Sequence, residues 1–115
     1  MISQGEICWG ELSPARRSEP EFRRPVLVVQ SDAFNRSRIA MVGCVLLTSK
    51  VKWALVPGNV TLSAKVTGVL KNSVANVSQI VTVGRSILPE RLGRLPSSKL
   101  ELVISGIEVV LARKA

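Results

Sequence analysis

The sequence contains no histidine, and its remaining acidic and cysteine residues form no recognisable metal-binding cluster. Histidine is the side chain that most often exchanges protons near neutral pH, and zinc sites are built mainly from cysteine and histidine. No glycine-rich loop has the spacing of a phosphate-binding motif. The chemistry open to the chain is therefore that of arginine, lysine, carboxylates and hydroxyl groups.

Cysteine and long apolar runs are also scarce. Cys8 and Cys44 are too few and too far apart to predict a disulfide framework, so we expect two reduced thiols in the core. The longest apolar run, residues 39–47, is about half of the roughly 18 residues that a membrane-spanning helix needs. No basic segment followed by an apolar stretch opens the sequence, so no signal peptide is expected. These features predict a cytoplasmic protein without membrane contact.

The 115 residues carry 16 basic and 8 acidic side chains, which gives a net charge of +8. A chain of this length forms one domain, residues 1–115, with a single core. The excess of positive charge favours a polyanionic partner such as a phosphate backbone, although a solvated basic surface remains an alternative. Aromatic residues make up only 3% and tyrosine is absent, which argues against a surface built mainly on base stacking.

The pattern of apolar residues predicts a mainly β fold with a C-terminal helix. Strands are expected at residues 6–12, 25–30, 40–48, 59–63, 72–77 and 79–83, separated by turns rich in proline and glycine. Spacings of three and four between Leu100 and Leu111 predict an amphipathic helix. Ser98 and Glu101 have the spacing of a capping box at its start, and Gly106 in its middle favours close packing. Many short strands and one helix indicate a small barrel or sandwich closed by the helix.

Such a residue set is sufficient to cut RNA, because RNA supplies its own nucleophile, the 2′-hydroxyl group. The protein needs only to position that group, stabilise the negative charge that develops on phosphorus, and move a proton.

Several motifs resemble, in order, those of the MazF/PemK toxins. They are Gly-Glu-Ile-Cys-Trp at 5–9, Leu-Ser-Pro at 12–14, Ser-Glu at 18–19, Arg-Arg-Pro-Val-Leu-Val-Val-Gln-Ser-Asp at 23–32, Asn-Arg at 35–36, Val-Leu-Leu-Thr-Ser at 45–49, Val-Thr-Leu at 60–62, Gly-Val at 68–69, Asn-Ser-Val at 72–74, Gln-Ile at 79–80, Thr-Val at 82–83 and Arg-Leu-Gly-Arg-Leu at 91–95. The resemblance implies an SH3-like barrel of the MazF/PemK/CcdB type that acts as a homodimer. It further implies cleavage of single-stranded RNA without a metal or cofactor, leaving a 2′,3′-cyclic phosphate and a 5′-hydroxyl, and inhibition by a cognate antitoxin protein.

The same resemblance assigns the site. The catalytic arginine of the family falls on Arg24, the catalytic threonine on Thr48, and the loop glutamate on Glu19, which either activates the 2′-hydroxyl or orients Arg24. The expected RNA-binding residues are Ser18, Phe22, Arg23, Ser49, Trp53 and Gln79. Trp53 can alternatively pack against the barrel, and Thr48 can simply cap a turn.

Three departures from the family pattern bear on the cleavage sequence and turnover more than on the fold. Pro-Glu-Phe at 20–22 replaces the usual Gln-Gly-Gly, Ser78 replaces an acidic residue, and Val81 replaces a basic one. Two other functions remain open. A CcdB-like toxin that binds a protein target would share the barrel, but the residues at 111–115 lack the C-terminal Trp-Gly-Ile on which that activity depends. A catalytically silent RNA-binding barrel would share the charge.

Overall fold

The computed structural model describes residues 2–11, 23–69, 71–85, 88 and 90–112. Six strands form one antiparallel sheet: β1 (Glu6–Glu11), β2 (Arg23–Val28), β3 (Met41–Thr48), β4 (Val60–Leu62), β5 (Ser73–Gly84) and β6 (Arg91–Arg94). Three α-helices and one 3₁₀ turn complete the described chain: α1 (Asp32–Asn35), the turn Val51–Leu55, α2 (Ala64–Thr67) and α3 (Ser97–Val110).

The sheet runs in the order β4-β5-β3-β2-β1-β6 and curls into a half-barrel. Its two edge strands, β4 and β6, do not pair with each other in the described part of the chain. Helix α2 follows β4 and contacts β6, where Gly93 approaches the carbonyl group of Thr67 so closely that a side chain would clash. The predicted mainly β fold with a C-terminal helix is therefore confirmed.

The central strands β2 and β3 bury both of their faces. One core cluster contains Leu27 and Val45 together with Val103 of α3, and the opposite cluster contains Val26 and Cys44. Burial on both faces explains why these strands read as continuous apolar runs, with no polar residue at alternate positions. It also positions the polar residues that follow them at the rim of the sheet.

Both cysteines are free and buried, as predicted. Desolvation by burial, followed by the charge of Glu6, raises the pKa of the Cys8 thiol. Desolvation is also the main cause that raises the pKa of Cys44 to about 12. Both thiols therefore stay protonated at neutral pH and are unsuited to nucleophilic chemistry.

Helix α3 closes the concave side of the sheet with its buried residues Val103 and Gly106. Gly106 touches the backbone of Gly58 in the turn before β4, leaving no room for a Cβ atom. The expected close packing at Gly106 is confirmed. Among the described residues no helix is both long enough and apolar enough to span a membrane.

The capping box at the start of α3 was a wrong prediction. The helix begins at Ser97, so Ser98 is already its second residue, and no side chain caps it. The N-terminal end is formed by Pro96, whose extended backbone turns its carbonyl oxygen to accept the N–H groups of Lys99 and Leu100. Proline suits this position because it has no N–H group of its own to satisfy.

The two strands predicted at 72–77 and 79–83 form one strand, β5. Its pairing with β3 is irregular: Ile80 lies opposite Val45, and Asn76 opposite the next residue, Leu46. Three β5 residues, 77–79, thus lie outside the regular ladder. This irregular stretch includes residue 78, the position that separates the two predicted strands. Strand β6 and the short helices were not predicted, since four- and five-residue elements show too little periodicity to be recognised.

Candidate active site

A cavity of about 560 Å³ lies where the start of β2 and the end of β3 meet the 3₁₀ turn and β5. Five residues predicted from the sequence line it: Arg24, Thr48, Ser49, Trp53 and Gln79. The same cavity is lined by seven further residues: Trp9, Pro25, Leu47, Lys50, Val69, Lys71 and Ser73. The fold therefore brings together predicted residues that are up to 55 positions apart in the chain, from Arg24 to Gln79.

Arg24 and Thr48 are neighbours on adjacent antiparallel strands. The pairing of β2 with β3 reaches Val26 and Leu46, and Arg24 and Thr48 lie two residues beyond that pair on their strands. The guanidinium Nη2 of Arg24 donates a hydrogen bond of 3.3 Å to the carbonyl oxygen of Leu47. One edge of the guanidinium group is thereby held against the end of β3, and its remaining donors can bind phosphate oxygens.

Thr48 ends β3 and is 8% exposed. Its Oγ1 accepts a hydrogen bond of 3.2 Å from the backbone N–H of Lys50, so the residue does cap the turn that follows the strand. This bond uses only an acceptor position of the hydroxyl group. The O–H donor of Thr48 has no partner among the described residues, and a turn-capping role is compatible with donation to a bound phosphate.

The cavity is positively charged. Arg24, Lys50 and Lys71 line it, and no described lining residue carries a carboxylate. Three cations around one concave surface attract a polyanion and stabilise negative charge that develops on it. Among the described residues, no group of three or more histidine, cysteine, aspartate or glutamate residues is arranged to hold a metal ion.

Trp53 and Gln79 also line the cavity. Trp53 belongs to the 3₁₀ turn, and its half-buried side chain lines the cavity. Gln79 is exposed, and its Oε1 accepts a hydrogen bond of 2.9 Å from Nδ2 of the buried Asn76. An indole ring and an amide are groups that contact nucleic-acid bases by stacking and by hydrogen bonding.

The other four predicted site residues are not among the described residues that line the cavity. Ser18, Glu19 and Phe22 lie outside the described residues. Arg23 is described only as the first residue of β2, where its backbone pairs with Glu11.

Sequence reasoning missed several lining residues. Trp9 joins the cavity because β1 pairs with β2 in a register that sets Trp9 opposite Pro25, directly beside Arg24. Lys71 and Ser73 join it because β5 lies next to β3. Only the strand pairing brings these residues to the site. Trp9 and Ser73 each lie in a motif of the family resemblance, whereas no such motif contains Lys71.

Comparisons with known proteins identify the family of this chain. The family model described as "PemK-like, MazF-like toxin of type II toxin-antitoxin system" matches residues 3–111. The chain is 44% identical over 111 residues to "Endoribonuclease MazF6" of Mycobacterium tuberculosis, covering 96% of this chain and 97% of that protein. It is 31% identical over 113 residues to "Endoribonuclease EndoA" of Bacillus subtilis, covering 97% and 96%.

A solved structure described as "Endoribonuclease in complex with its cognate antitoxin from Mycobacterial species" has the same fold. Its TM-score is 0.78 at 22% sequence identity, with 97% of this chain and 96% of that chain covered. The chain belongs to the family of PemK-like, MazF-like toxins of type II toxin–antitoxin systems.

Proposed function

We propose that this toxin is an endoribonuclease that cuts single-stranded RNA, including mRNA, at a short sequence without a metal ion. The observation that carries the proposal is the meeting of Arg24 and Thr48 in a cavity that also contains two lysines. The relatives named above are endoribonucleases and match this chain over nearly its whole length. The proposed cleavage products are a 2′,3′-cyclic phosphate and a 5′-hydroxyl.

In the proposed reaction the 2′-oxygen attacks the adjacent phosphorus, and the bond from phosphorus to the 5′-oxygen breaks. Negative charge grows on the non-bridging oxygens as the phosphorane forms. The guanidinium of Arg24 neutralises that charge, and the free O–H of Thr48 donates to one of these oxygens. Charged hydrogen bonds are stronger than neutral ones, so Arg24 makes the larger contribution.

Two protons must move during the reaction. The 2′-hydroxyl loses one, and the departing 5′-oxygen gains one. Arginine keeps its proton near neutral pH, which favours an electrostatic role for Arg24, with donation to the 5′-oxygen as a second role. Glu19 is proposed as the group that accepts the 2′-proton or orients Arg24, on the basis of the family motif alone.

The proposal includes partners. A toxin of a type II system is inhibited by an antitoxin protein, and we propose a cognate antitoxin as the partner of this chain. We also propose that the protein acts in the cytoplasm as a homodimer, as the family resemblance implies. Light scattering of the purified protein tests the dimer: a monomeric mass at micromolar concentration would contradict it.

The decisive experiment compares two RNA strands in the presence of EDTA. One is all ribose, and the other has deoxyribose at the scissile position, which removes the attacking 2′-hydroxyl. A preliminary map of 5′-hydroxyl ends in cellular RNA after expression of the toxin identifies the scissile sequence. We expect cleavage of the ribose strand only, with a cyclic phosphate on the upstream product.

Three results would contradict the proposal. Cleavage of the deoxyribose strand would exclude the 2′-hydroxyl as nucleophile. Loss of cleavage in EDTA, restored by a divalent cation, would exclude the metal-independent mechanism. Binding of RNA that weakens with salt, without cleavage of any sequence, would favour the catalytically silent RNA-binding barrel.

A further inference from the structure

A chain of side-chain amides runs beneath the active-site cavity. Asn59 connects to Asn76 through a bond from its Nδ2 to Asn76 Oδ1 (3.3 Å), and Asn76 connects to Gln79 through a bond from its Nδ2 to Gln79 Oε1 (2.9 Å). Asn76 is 1% exposed, whereas Gln79 is exposed and lines the cavity. A buried amide without water contact must find its partners within the protein.

Two backbone groups fix the direction, from donor to acceptor, of the hydrogen bonds in this chain of side-chain amides. Oδ1 of Asn59 accepts the N–H of Val77 (2.9 Å), and its Nδ2 donates to the carbonyl oxygen of Trp53 (2.9 Å). A backbone N–H can only donate and a carbonyl oxygen can only accept, so the Asn59 amide cannot be reversed. Its second Nδ2 hydrogen then meets Asn76, which must present an oxygen towards Asn59.

The orientation of the Asn76 amide in turn fixes the orientation of the Gln79 amide. Because Asn76 directs Oδ1 towards Asn59, its Nδ2 is the group left for Gln79, and Gln79 must turn Oε1 inwards. The Nε2 group of Gln79 makes no hydrogen bond to any residue that the structure describes. At this position Gln79 therefore presents its Nε2 donor to the cavity, and not its Oε1 acceptor.

Ser78 belongs to this arrangement. Its Oγ donates a hydrogen bond of 2.7 Å to Asn76 Oδ1, the same atom that accepts from Asn59. The MazF/PemK pattern has an acidic residue at this position. Because the side chain of residue 78 lies against Asn76 Oδ1, a carboxylate there would repel that oxygen, whereas the hydroxyl group of serine donates to it and supports the orientation of Asn76 described above.

We propose that Asn59 and Asn76 are positioning residues that hold Gln79 as a fixed hydrogen-bond donor, and that this donor selects, at one position of the cleavage site, a base with a carbonyl oxygen over a base with an amino group. Guanine and uracil carry that oxygen, O6 or O4, where adenine and cytosine carry an amino group. This inference on selectivity rests on the proposed endoribonuclease function, whereas the direction of the amide chain does not.

The first test needs no RNA and separates the two claims. NMR measures the rates at which side-chain amide protons exchange with water in the wild-type protein. We expect the amides of Asn59 and Asn76 to exchange at least roughly tenfold more slowly than the amide of Gln79, because only the first two donate to protein oxygens. Slow exchange at Gln79, with fast exchange at Asn76, would overturn the proposed direction.

The second test uses Asn76→Asp to reverse the orientation of the Gln79 amide. The introduced carboxylate has no donor, can accept from Asn59 and Ser78, and can hold Gln79 only through Nε2. The exchange of the Gln79 amide should then slow, and Oε1 should face the cavity. Cleavage of a randomised RNA pool should show the base preference at one position shifted by roughly tenfold towards adenine and cytosine, whose amino groups can donate to Oε1, with other positions unchanged.

Gln79→Ala identifies the position in question, since it should remove the preference there and nowhere else. Gln79→Glu, an exposed change with little risk to folding, should also disfavour guanine and uracil there, because a carboxylate repels their carbonyl oxygen. Ser78→Ala is the matched control, because the Asn59 contact still fixes Asn76, and its base preference should stay that of the wild type. A folded Asn76→Asp protein with wild-type preference at every position would overturn the selectivity claim.

If Asn76→Asp does not fold, Gln79→Glu and the wild-type exchange rates still decide the matter. A Gln79→Glu protein with unchanged base preference would overturn the donor role of Gln79. If the wild-type protein cuts no RNA, the proposed function fails, and the exchange rates alone decide whether the amide chain runs as described.

Discussion

Two regions of the molecule meet at the turn before β4, and they differ in the kind of interaction between their residues. On one side is the helix-side core, which we define as Gly58, Gly106, Val77 and Val103. There, backbones touch and apolar side chains fill the space. On the other side is the candidate active-site cavity, where charged and amide groups surround open volume. Two adjacent residues belong to different regions. Gly58 contacts α3, whereas Asn59 is connected to Gln79 through Asn76.

The comparison teaches that stability and activity depend on different kinds of interaction in neighbouring parts of one small domain. The helix-side core depends on volume, so a single added methyl group is harmful there. The cavity depends on charge and hydrogen-bond direction, so a change of nearly equal volume is harmful there. Substitutions in the two regions should therefore separate into those that lower stability and those that lower activity.

The largest expected effect is that of Arg24→Ala on cleavage. Removing the group that neutralises the phosphorane should lower the single-turnover cleavage rate by about 100- to 1000-fold, in the range found for lost transition-state donors. Urea unfolding should change by no more than about 1 kcal/mol, since the side chain makes one long hydrogen bond to a carbonyl group. Arg24→Ala with wild-type rates would disprove the catalytic assignment.

Next in size is Gly106→Ala in the helix-side core. Alanine is favoured over glycine in a helix by about 1 kcal/mol, but the added Cβ would overlap the carbonyl group of Gly58. We expect a net loss of about 2 to 3 kcal/mol in the free energy of unfolding, measured in urea. Ser105→Ala, at an exposed position of the same helix, is the control and should not destabilise. Equal stability of the two variants would argue against the close approach.

Thr48→Val should have a smaller effect that falls on both properties. Valine keeps the shape but loses the O–H proposed to bind a phosphate oxygen, so we expect the cleavage rate to fall by roughly tenfold to 100-fold. It also loses the bond from the N–H of Lys50, at a cost of about 1 kcal/mol in stability. Thr48→Ser keeps the hydroxyl group and should retain most activity. Equal rates for the two variants would exclude a role for the hydroxyl group.

The smallest effect concerns the buried Cys44 thiol, whose pKa is raised to about 12 in the folded protein. Between pH 9 and pH 12 the unfolded chain loses this proton while the folded protein keeps it, so stability falls as pH rises. The fall attributable to one such thiol is about 1 kcal/mol between about pH 9 and pH 10. Urea unfolding at these two pH values should show a smaller fall for Cys44→Ala than for the wild type. The same fall in both proteins would refute this contribution.

The sequence was sufficient for the regular parts of the molecule. The apolar runs around Val26 and Val45 predicted buried strands because burial on both faces requires unbroken apolar residues. The helical stripe through Val103 predicted α3 because its spacing repeats over several turns. Arg24 and Thr48 could be assigned because each lies in a motif that resembles the family pattern.

Features that leave no periodic pattern in the sequence could be identified only from the tertiary structure. The register of β1 against β2 brings Trp9 to the cavity, and the position of β5 beside β3 brings Lys71. The start of α3 at Ser97 depends on how Pro96 turns its carbonyl group, and Ser98 had suggested another start.

The amino-acid sequence by itself determined the mainly β fold, the basic charge and the two residues at the centre of the proposed chemistry. These follow from local composition and motifs, which need no knowledge of neighbours in space. Only the tertiary structure decided which side chains share the cavity and which atom of Gln79 faces it. The physical reason is that strand register and hydrogen-bond direction depend on contacts between residues far apart in the chain.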